Sequence, residues 1–409
     1  MAGILVVGGG AAGMMAALFA AEGGAAVTLL EHNEKLGKKL YITGKGRCNL
    51  TNDCTRDEFL AQVPRNPRFL FSALHGFSPG DMMSLMEGAG CPVTVQRGQR
   101  VFPASEKASD VTRALSSLLK KAGVRVCLGT EAAEIRRENG AITGVALKDG
   151  RVLPGEAVIL ATGGLSYPAT GSTGDGYRLA RACGHTVVPL RPGLVGLETA
   201  EAWPAELQGL SLKNVRLSLA AGGKTLYTEL GEMLFTHFGV SGPLVLEASS
   251  HLTEEPGELT LDLKPGLTEE QLDARLQREL STAGKKQLRN MLPTLLPARL
   301  AEMFPRLCGL DASLPCHQVT AGMRQVLRER LKGLKMSVRG PRPLAEAIIT
   351  RGGIAVSEIN PGTMESRLQP GLFFAGEMID TDAHTGGFNL QIAWSTGALA
   401  GRSAARLYG

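Results

Sequence analysis

Apolar residues at the start of the chain fall into short blocks separated by glycines. The apolar run Ile4–Val7 is followed by a glycine cluster and then by Ala11–Glu22, which is apolar on all sides. A second short run, Val27–Glu31, ends in an acid. This order predicts a buried strand, a tight turn, a buried helix and a second strand, the start of a βαβ unit. The polar, glycine-rich stretch Glu31–Asn66 is predicted to be an ordered loop over a ligand.

The same opening segment also has the length of a membrane span. Ile4–Ala21 holds eighteen residues without a polar side chain. Four of them are glycines, and no Lys or Arg precedes the run as it would in a signal peptide. The pattern therefore favours a buried strand, turn and helix, and we expect a soluble protein.

Further along the chain, the spacing of apolar residues changes twice. Apolar and polar residues alternate within 190–264, which predicts antiparallel strands, whereas apolar residues three and four apart within 268–335 predict helices. Other predicted helices are Pro79–Gly88, Lys107–Lys121 and Leu390–Leu407, and other predicted strands are Val124–Leu128, Ala132–Arg136, Ala141–Leu147, Ala157–Ala161, Gly353–Ile359 and Leu372–Ala375.

These patterns predict an α/β fold in which a Rossmann-like domain is interrupted by an insertion. Residues 1–190 form the first part of the Rossmann-like domain, and residues 341–409 form its second part. The inserted domain, 191–340, divides into an antiparallel β part at 191–265 and a basic helical part at 266–340.

Composition and cysteine spacing limit the class of protein. Apolar residues make up 44% of the 409 residues and charged residues 20%, which is typical of a globular chain and not of a disordered or collagen-like one. The seven cysteines include no C-x-x-C pair, so neither a dithiol redox centre nor a zinc knuckle is indicated, and the cytoplasm is the expected compartment. Cys308, Cys316 and His317 lack a fourth ligand, and no metal site is predicted.

Positive charge is concentrated in one part of the chain. The net charge is +5, but residues 284–339 alone hold eleven Lys and Arg against three Asp and Glu. Two interpretations remain open. The segment is either a solvated helical face whose Lys and Arg stems cover apolar surface, or an electrostatic footprint for RNA.

The clearest chemical motif is a G-x-G-x-x-G between the first strand and the first helix, formed by Gly8, Gly10 and Gly13. The first glycine permits the tight turn, the second lets a pyrophosphate approach backbone N–H groups, and the third allows close helix–strand packing. Glu31 ends the second strand, where a carboxylate accepts a hydrogen bond from a ribose 2′-OH and repels a 2′-phosphate. The motif predicts a dinucleotide site; the alternative is a glycine-rich turn without a ligand.

Two later segments indicate which dinucleotide is bound. Residues 158–164 form an apolar strand ending in Ala-Thr-Gly-Gly, and residues 372–377 form one ending in Gly and an acid, with Asp380 close behind. Together with the N-terminal motif they resemble the FAD-binding pattern of two-dinucleotide-binding-domain flavoproteins, which have the glutathione-reductase-like fold. The resemblance implies that the last acid binds the ribityl chain. It also implies that a helix starting near 386–391 points its N-terminus at the flavin pyrimidine, where it stabilises negative charge.

Four segments together resemble the BaiN-like (YhiN-like) NAD(P)/FAD-dependent oxidoreductase family: residues 42–52, 164–177, 234–243 and 376–391. The resemblance implies a flavin that takes hydride from NADH or NADPH and reduces a carbon–carbon double bond. Members of the family are linked to bile-acid reduction and to dihydrouridine formation in large-subunit ribosomal RNA. The motifs and the resemblance together assign to FAD the residues Gly8, Gly10, Ala11, Ala12, Gly13, Glu31, Lys38, Gly46, Arg47, Cys48, Asn49, Ala132, Ala161, Thr162, Gly163, Gly164, Gly376, Glu377, Asp380, Gly387, Asn389, Leu390 and Gln391.

The sequence leaves the hydride acceptor open. The first hypothesis is a uridine in large-subunit rRNA, held by the basic insertion; the second is a small conjugated enone such as a bile-acid or steroid intermediate. A third hypothesis is a non-catalytic flavin-binding scaffold or sensor. No second G-x-G-x-x-G follows a strand, so NADH or NADPH is expected to dock at the flavin face. Residues 171–176 form either a turn lining the FAD or substrate cavity or a helix start that holds a phosphate.

Reduction of a double bond needs a proton donor as well as a hydride donor. Tyr167, His237 and His384 are the candidates, because each lies in a glycine-flanked segment near a predicted cofactor contact; the alternative for each is a structural role. Arg47 either binds FAD phosphates or a substrate oxyanion, or is a surface residue. Cys48 is a further possible donor, with a buried structural role as the alternative.

Overall fold

The structure is a computed structural model that describes residues 3–409. The chain divides into two compact units. Unit 1 comprises the chain up to Gly193 together with Pro343–Gly409, and unit 2 comprises Leu194–Arg342. The boundaries predicted from the sequence, after residues 190 and 340, lie within three residues of these.

Strands and helices are numbered in chain order. The strands in the described residues are β1 Gly3–Val7, β2 Val27–Leu30, β3 Thr51–Asn52, β4 Val93–Gln96, β5 Arg100–Pro103, β6 Arg125–Cys127, β7 Ala132–Glu138, β8 Ala141–Leu147, β9 Val152–Leu160, β10 Val187–Gly193, β11 Leu197–Thr199, β12 Ser211–Ala221, β13 Lys224–Thr236, β14 Gly239–Ser241, β15 Gly257–Asp262, β16 Leu334–Pro341, β17 Ile349–Ile354 and β18 Leu372–Phe374. The helices are α1 Ala11–Glu22, α2 Arg56–Ala61, α3 Phe71–Gly76, α4 Pro79–Gly88, α5 Ala108–Lys121, α6 Asp175–Ala182, α7 Trp203–Glu206, α8 Pro243–Ser249, α9 Glu269–Ala283, α10 Leu288–Met291, α11 Ala298–Leu307, α12 Ala321–Lys332 and α13 Phe388–Tyr408.

Unit 1 is built on a seven-stranded sheet with the order β6-β2-β1-β9-β8-β7, and β18 also pairs with β9. β6, β2, β1, β9 and β18 are parallel, so their carboxyl ends meet at one edge of the sheet. β9 changes partner along its length: its first half pairs with antiparallel β8, and its second half pairs with parallel β18. This arrangement confirms the predicted Rossmann-type fold, whose ligands bind beyond the carboxyl ends of the strands.

Helix α1 is buried along almost its whole length because α13 covers the side that faces away from the sheet. The two helices approach closely at small residues: a Cβ on Gly397 would lie 2.4 Å from the Ala12 carbonyl oxygen, and one on Gly401 would lie 2.3 Å from that of Ala16. Burial on all sides explains why the sequence of α1 is apolar all round. Among residues 3–409, no helix is both long and apolar enough to cross a membrane.

Two small sheets complete unit 1. β3, β5 and β4 form an antiparallel three-stranded sheet, in which β4 and β5 make a hairpin, and β10 pairs with β17. In the chain, a 3₁₀ turn at Leu40–Gly46 comes before strand β3 of the three-stranded sheet, and helix α2 follows β3. The stretch Glu31–Asn66 is therefore ordered as predicted, but it contains a strand and a helix as well as loop.

Unit 2 contains a closed barrel with the order β11-β14-β13-β12-β15-β16 and a helical part, α9–α12. The alternating apolar residues of β12 and β15, such as Leu217, Leu219, Leu259 and Leu261, point into a core that they share with apolar residues of the helices. The predicted antiparallel β and helical insertion is confirmed at this level. The helical part begins at a capping box, in which Thr268 and Gln271 satisfy each other's backbone N–H groups.

Two predicted elements are wrong in detail. The strand predicted at Gly353–Ile359 is β17, Ile349–Ile354, followed by a 3₁₀ turn at Val356–Glu358. Thr350 and Arg351 concealed it, because they are polar yet buried. The segment predicted as helical up to residue 340 ends in strand β16, Leu334–Pro341, which closes the barrel between β15 and β11.

Candidate functional site

The turn between β1 and α1 is shaped by glycines with different roles. Gly8 has φ +104°, and a Cβ on Gly13 would lie 1.7 Å from the Gly8 carbonyl oxygen, so helix and strand pack with no room for a side chain. A Cβ on Gly10 would meet no heavy atom within 4 Å. The first N–H groups of α1 have no acceptor within the helix, and Gly10 leaves the space in front of them open. This is the geometry of an anion site at a helix N-terminus.

Glu31 lies beside this turn with its carboxylate fixed. Its Oε2 accepts a hydrogen bond of 2.7 Å from the Gly9 N–H, and its Oε1 accepts bonds of 2.8 Å from the backbone and side-chain nitrogens of Asn33. The side chain is 6% exposed. A carboxylate held in this way at the end of β2 suits the hydroxyls of a ribose.

A cleft in unit 1 brings together many of the residues that were predicted to bind the cofactor. Its wall includes Thr162, whose buried Oγ1 has no hydrogen-bond partner among the described residues. Gly171–Thr173 and the start of α6 also line the cleft, so this glycine run is both a turn on the cavity and the start of a helix. Predicted residues in the cleft are Gly8, Gly10, Glu31, Lys38, Ala132, Ala161, Thr162 and Gly163.

Lys39 is a cleft residue that the sequence analysis missed. Its Nζ donates hydrogen bonds of 2.7 Å to Glu377 Oε2 and to Ser166 Oγ. Glu377 Oε1 also accepts from the Thr350 N–H at 2.8 Å and from Ser166 Oγ at 2.9 Å. The predicted cofactor residue Glu377 is thus the centre of an ion-pair network that joins the loops after β2, β9 and β18. No periodicity signals this role, since Lys38 and Lys39 are adjacent and look equivalent in sequence.

Asp380 lies in a buried charged cluster close to Glu377 in sequence. Its Oδ1 has no partner among the described residues, while Asn66 Nδ2 donates to its carbonyl oxygen at 2.6 Å. Arg65 Nε donates to Asp382 Oδ1 at 3.0 Å. Burial raises the pKa of both aspartates, against the opposing effect of the Arg65 charge. Burial likewise lowers the pKa of Arg351 to about 10.

The N-terminus of α13 is held against β3. A Cβ on Gly387 (φ +102°) would lie 2.3 Å from the Thr51 carbonyl oxygen. Asn389 Oδ1 accepts from the Ala383 N–H at 3.0 Å, and its Nδ2 donates to the Ala383 carbonyl at 2.7 Å. With its amide oriented to satisfy both partners, Asn49 accepts from the Gly387 N–H at 3.0 Å.

Three predicted cofactor residues near α13 and α1 face the protein interior. Gln391 is fully buried and bonds to Thr51 Oγ1, the Phe77 carbonyl and Ser395 Oγ. Ala12 is buried, and a Cβ on Gly376 would lie 2.7 Å from its methyl group, so both serve close packing. Two other predicted residues, Ala11 and Leu390, are partly buried in the first turns of α1 and α13. Gly164 packs closely on Thr350, and a Cβ on Gly164 would lie 2.3 Å from Thr350 Oγ1.

The loop around Arg47 turns its charge toward the small sheet. Arg47 Nη1 lies 3.0 Å from Glu106 Oε1, and its guanidinium stacks on Phe102, with 4.3 Å to the ring centroid. Gly46 has φ +87°, as the turn requires. Cys48 is completely buried, and burial raises the pKa of its thiol to about 12. A thiol in that environment stays protonated and unreactive, which agrees with the structural alternative.

Two of the three candidate proton donors lie in unit 1. Tyr167 has φ +52° and is half-buried, with Lys39 Nζ 5.9 Å from its ring centroid. His384 lies in the loop before α13, and its Nδ1 is 3.3 Å from Gln62 Oε1. His237 is exposed in the turn between β13 and β14 of unit 2, where it packs edge-on against Phe238.

In the folded protein, part of the positive charge of the basic segment 284–339 is balanced by nearby acids. Five of its eleven cations form ion pairs with acids that lie earlier in unit 2, and unit 2 as a whole holds 18 Lys and Arg against 17 Asp and Glu. These pairs are Arg306–Glu206, Arg324–Asp273, Arg328–Glu269, Lys332–Asp262 and Lys335–Glu258.

In residues 3–409 all seven cysteines are free, and no group of His, Cys, Asp or Glu is arranged to hold a metal.

The site geometry fits a flavin dinucleotide. The open space at Gly10 fits a pyrophosphate, the fixed Glu31 carboxylate fits a ribose, and the unpartnered Thr162 Oγ1 and Asp380 Oδ1 offer polar contacts to a ligand. These groups lie on four segments, which follow the carboxyl ends of the parallel strands β1, β2, β9 and β18. A bound polar molecule would satisfy them, as buried polar atoms require.

The sequence matches the model of the HI0933-like protein Rossmann domain family over residues 2–403. It is 31% identical over 388 residues to a 3-dehydro-bile acid delta(4,6)-reductase of Clostridium scindens, covering 94% of this chain and 93% of that protein. It is 32% identical over 375 residues to a ribosomal RNA dihydrouridine synthase of Escherichia coli, covering 91% and 90%. The solved 3-ketosteroid-delta4-(5alpha)-dehydrogenase of Rhodococcus jostii shares the fold, with a TM-score of 0.54 at 15% identity over 99% of this chain and 96% of that chain. The chain therefore belongs to the HI0933-like Rossmann family, as its motifs predicted, and is an FAD-dependent oxidoreductase.

Proposed function

We propose that this protein uses NADH or NADPH to reduce a carbon–carbon double bond conjugated to a carbonyl group. The observation that carries the proposal is the cleft at the carboxyl ends of β1, β2 and β9, where open backbone amides, the fixed Glu31 carboxylate and the unpartnered Thr162 Oγ1 fit FAD. When bound, the flavin supplies the hydride that the nicotinamide delivered. The names of the two curated relatives support an unsaturated acceptor.

The protein's own contribution is to hold the cofactor and to provide a proton. The residues proposed to bind FAD are those lining the cleft, Lys39 among them, together with Glu377 and Asp380. As hydride reaches one carbon of the double bond, the neighbouring carbon must receive a proton. Tyr167 and His384 are the proposed donors, because both lie in unit 1 on loops beyond the carboxyl edge of the sheet.

The first candidate acceptor is a uracil ring in large-subunit ribosomal RNA. Its carbon–carbon double bond is conjugated to a ring carbonyl, and adding a hydride and a proton across it gives dihydrouridine. The Escherichia coli relative, named a ribosomal RNA dihydrouridine synthase, supports this acceptor. Two exposed arginines of unit 1, Arg97 and Arg100 in the β4–β5 hairpin, also favour a polyanionic partner.

The second candidate acceptor is a small conjugated enone such as a steroid-like acid. It has the same reacting group, and the bile-acid reductase of Clostridium scindens supports it. One observation favours it: five of the eleven cations of residues 284–339 are paired with acids of the same unit, so the insertion presents a less basic face than its sequence suggested.

Nucleoside mass spectrometry of ribosomal RNA from a strain that lacks the gene separates the two candidates. We expect one dihydrouridine of the large subunit to be replaced by uridine, and expression of the wild-type chain to restore it. An unchanged nucleoside profile, together with turnover of a conjugated steroid enone by the purified protein, would contradict the RNA candidate and support the enone.

A further inference from the structure

We infer that the β4–β5 hairpin of unit 1, and not the basic insertion, is the surface that grips RNA phosphates. The inference rests on the proposed function in its RNA form and assigns the contact surface. The hairpin tip is Gln96–Arg100, and its two cations, Arg97 and Arg100, are exposed. Among the described residues, neither guanidinium has a carboxylate partner. Five of the eleven cations of residues 284–339 are paired with acids, whereas in the described part of the chain the other six, Lys285 and Lys286 among them, are not. The hairpin differs from those six in its anchored turn and in its link to the loop before α13.

The tip has a fixed shape. Gly98 (φ +73°) and Gln99 (φ +57°) are both left-handed, which turns the chain sharply between the two arginines. The Asp53 N–H donates to the Gln99 carbonyl at 2.8 Å, and Asn52 Nδ2 donates to the Gly98 carbonyl at 3.0 Å. Because β3 and the residue after it hold both carbonyls, the arginines project from an anchored turn, and little order has to be imposed when they bind.

The tip also lies next to the predicted reacting end of the flavin. The same Asn52 Nδ2 that binds Gly98 donates to the Gly386 carbonyl at 3.1 Å. Gly386 opens the segment whose helix N-terminus the family resemblance directs at the flavin pyrimidine. One side-chain amide therefore ties the cationic tip to the loop where a substrate base is proposed to react.

The chemistry of this surface fits a nucleic-acid backbone. An enzyme that reduces a base must take that base out of its stack, which leaves the flanking phosphates outside the pocket. Arginine binds phosphate through parallel N–H groups and keeps its charge at all relevant pH values. Unit 1 carries a surplus of basic side chains, 26 Lys and Arg against 22 Asp and Glu, whereas unit 2 is nearly neutral.

The test measures binding of the flavin-loaded full chain to a transcript of large-subunit rRNA over a range of KCl concentrations. The test variant is Arg97→Gln with Arg100→Gln, and the matched control is Lys285→Gln with Lys286→Gln, two exposed cations of the insertion that also lack a carboxylate partner among residues 3–409. We expect the hairpin variant to bind more weakly and its slope of log K against log salt to fall in magnitude by about two, one for each lost phosphate contact. The control should keep the wild-type slope. Visible flavin absorbance and the unfolding temperature should be unchanged in both variants.

Each result decides a different question. A wild-type slope in the hairpin variant, or a loss confined to the insertion variant, overturns the hairpin inference while leaving RNA reduction intact. Absence of salt-dependent RNA binding by the wild-type chain overturns the inference together with the RNA form of the proposed function. Turnover of a steroid enone that is insensitive to both variants would then identify the second candidate acceptor.

Discussion

At the residue scale, the glycines of the first turn separate packing from ligand contact. Gly13 is enclosed, because a Cβ would lie 1.7 Å from a backbone oxygen, whereas Gly10 faces open space. The motif predicted close packing at Gly13 and a pyrophosphate approach at Gly10, and the distances show how much space each position has. The difference leads to a paired prediction.

Gly13→Ala should destabilise the protein, and Gly10→Ala should mainly weaken flavin binding. The Gly13 methyl would force β1 and α1 apart, at a cost of about 3 kcal/mol or more in the free energy of unfolding. The Gly10 methyl contacts no protein atom but projects into the proposed pyrophosphate space. Urea unfolding of the apoprotein and fluorescence titration with FAD measure the two effects. Equal flavin affinity for Gly10→Ala and wild type would contradict the assignment.

Lys39 and Lys38 form a second matched pair. Lys39→Met leaves the Glu377 carboxylate without its ammonium partner, and we expect a loss of about 1–2 kcal/mol in the free energy of unfolding, since the pair is only partly exposed. Lys38→Met should cost less than about 0.5 kcal/mol, because its charged partner Glu34 is exposed and its other bond, to Asn33 Oδ1 at 3.2 Å, is to a neutral amide. Denaturant unfolding of both variants provides the measurement. If Lys39→Met cost as little free energy of unfolding as is expected for Lys38→Met, the Lys39 network would not be structural.

The residues that sequence analysis missed share one property: their partners are remote in the chain. Lys39 meets Glu377, Arg65 meets Asp382, and Asn66 meets Asp380. None of these pairs has a fixed spacing or a glycine signature. The glycine motif and Glu31 could be predicted because a short, local βαβ unit sets their geometry.

At the element scale, the loop before α13 depends on Asn389. Its amide bonds to the backbone of Ala383 and His384, which fixes the segment that carries a candidate proton donor. Asn389→Ala should lower the free energy of unfolding by about 1–3 kcal/mol and loosen this loop without changing α13. Hydrogen exchange of residues 380–388, with that of α13 as the internal control, measures the effect. Unchanged protection of the loop would contradict this role.

Most of the elements were predictable from apolar patterning, and the exceptions have physical causes. α1 was recognisable because three glycines marked the turn before it and because its sequence is apolar on every side, as burial on both faces requires. β17 was placed late because its buried residues include the polar Thr350 and Arg351, and Thr350 Oγ1 accepts from the distant Leu165 N–H. β16 was taken for helix because it follows α12 after a single glycine, without a change in charge.

At the scale of the whole molecule, acid should destabilise unit 1 through His185. Its Nδ1 lies 3.2 Å from Glu358 Oε2 and its Nε2 lies 2.8 Å from Ser366 Oγ, and burial lowers its pKa below the ordinary 6.5. Between pH 6.5 and the lower pKa of the folded state, His185 is protonated in the unfolded chain but neutral in the folded chain. The free energy of unfolding therefore decreases as pH falls through 6.5 toward the folded pKa.

The effect is measured from urea midpoints at pH about 7.5 and about 5.5 in wild type and His185→Gln. The wild-type midpoint should fall more between the two pH values than that of the variant. Asp380 and Asp382 act in the opposite direction, because burial raises their pKa values, and they are common to both proteins. An identical pH dependence in the two proteins would exclude His185 as the cause.

Charge also has to be judged at the whole-molecule scale. The basic run at 284–339 is conspicuous in sequence, but its acidic partners lie in α7, α9 and β15. Folding brings those acids to it, so a linear count of charge overestimates its attraction for RNA. Arg97 and Arg100 of the β4–β5 hairpin have no carboxylate partner within residues 3–409, whereas five of the eleven cations of the basic run have one.

The most direct measurement is an anaerobic two-step spectrum of the purified chain loaded with FAD. We expect that the protein binds FAD, that NADH or NADPH bleaches the visible flavin absorbance, and that a conjugated acceptor, either rRNA transcript or steroid enone, restores it. A chain that stays colourless in the presence of added FAD, or whose bound flavin keeps its colour with both reductants, would contradict the proposed flavin-dependent reduction.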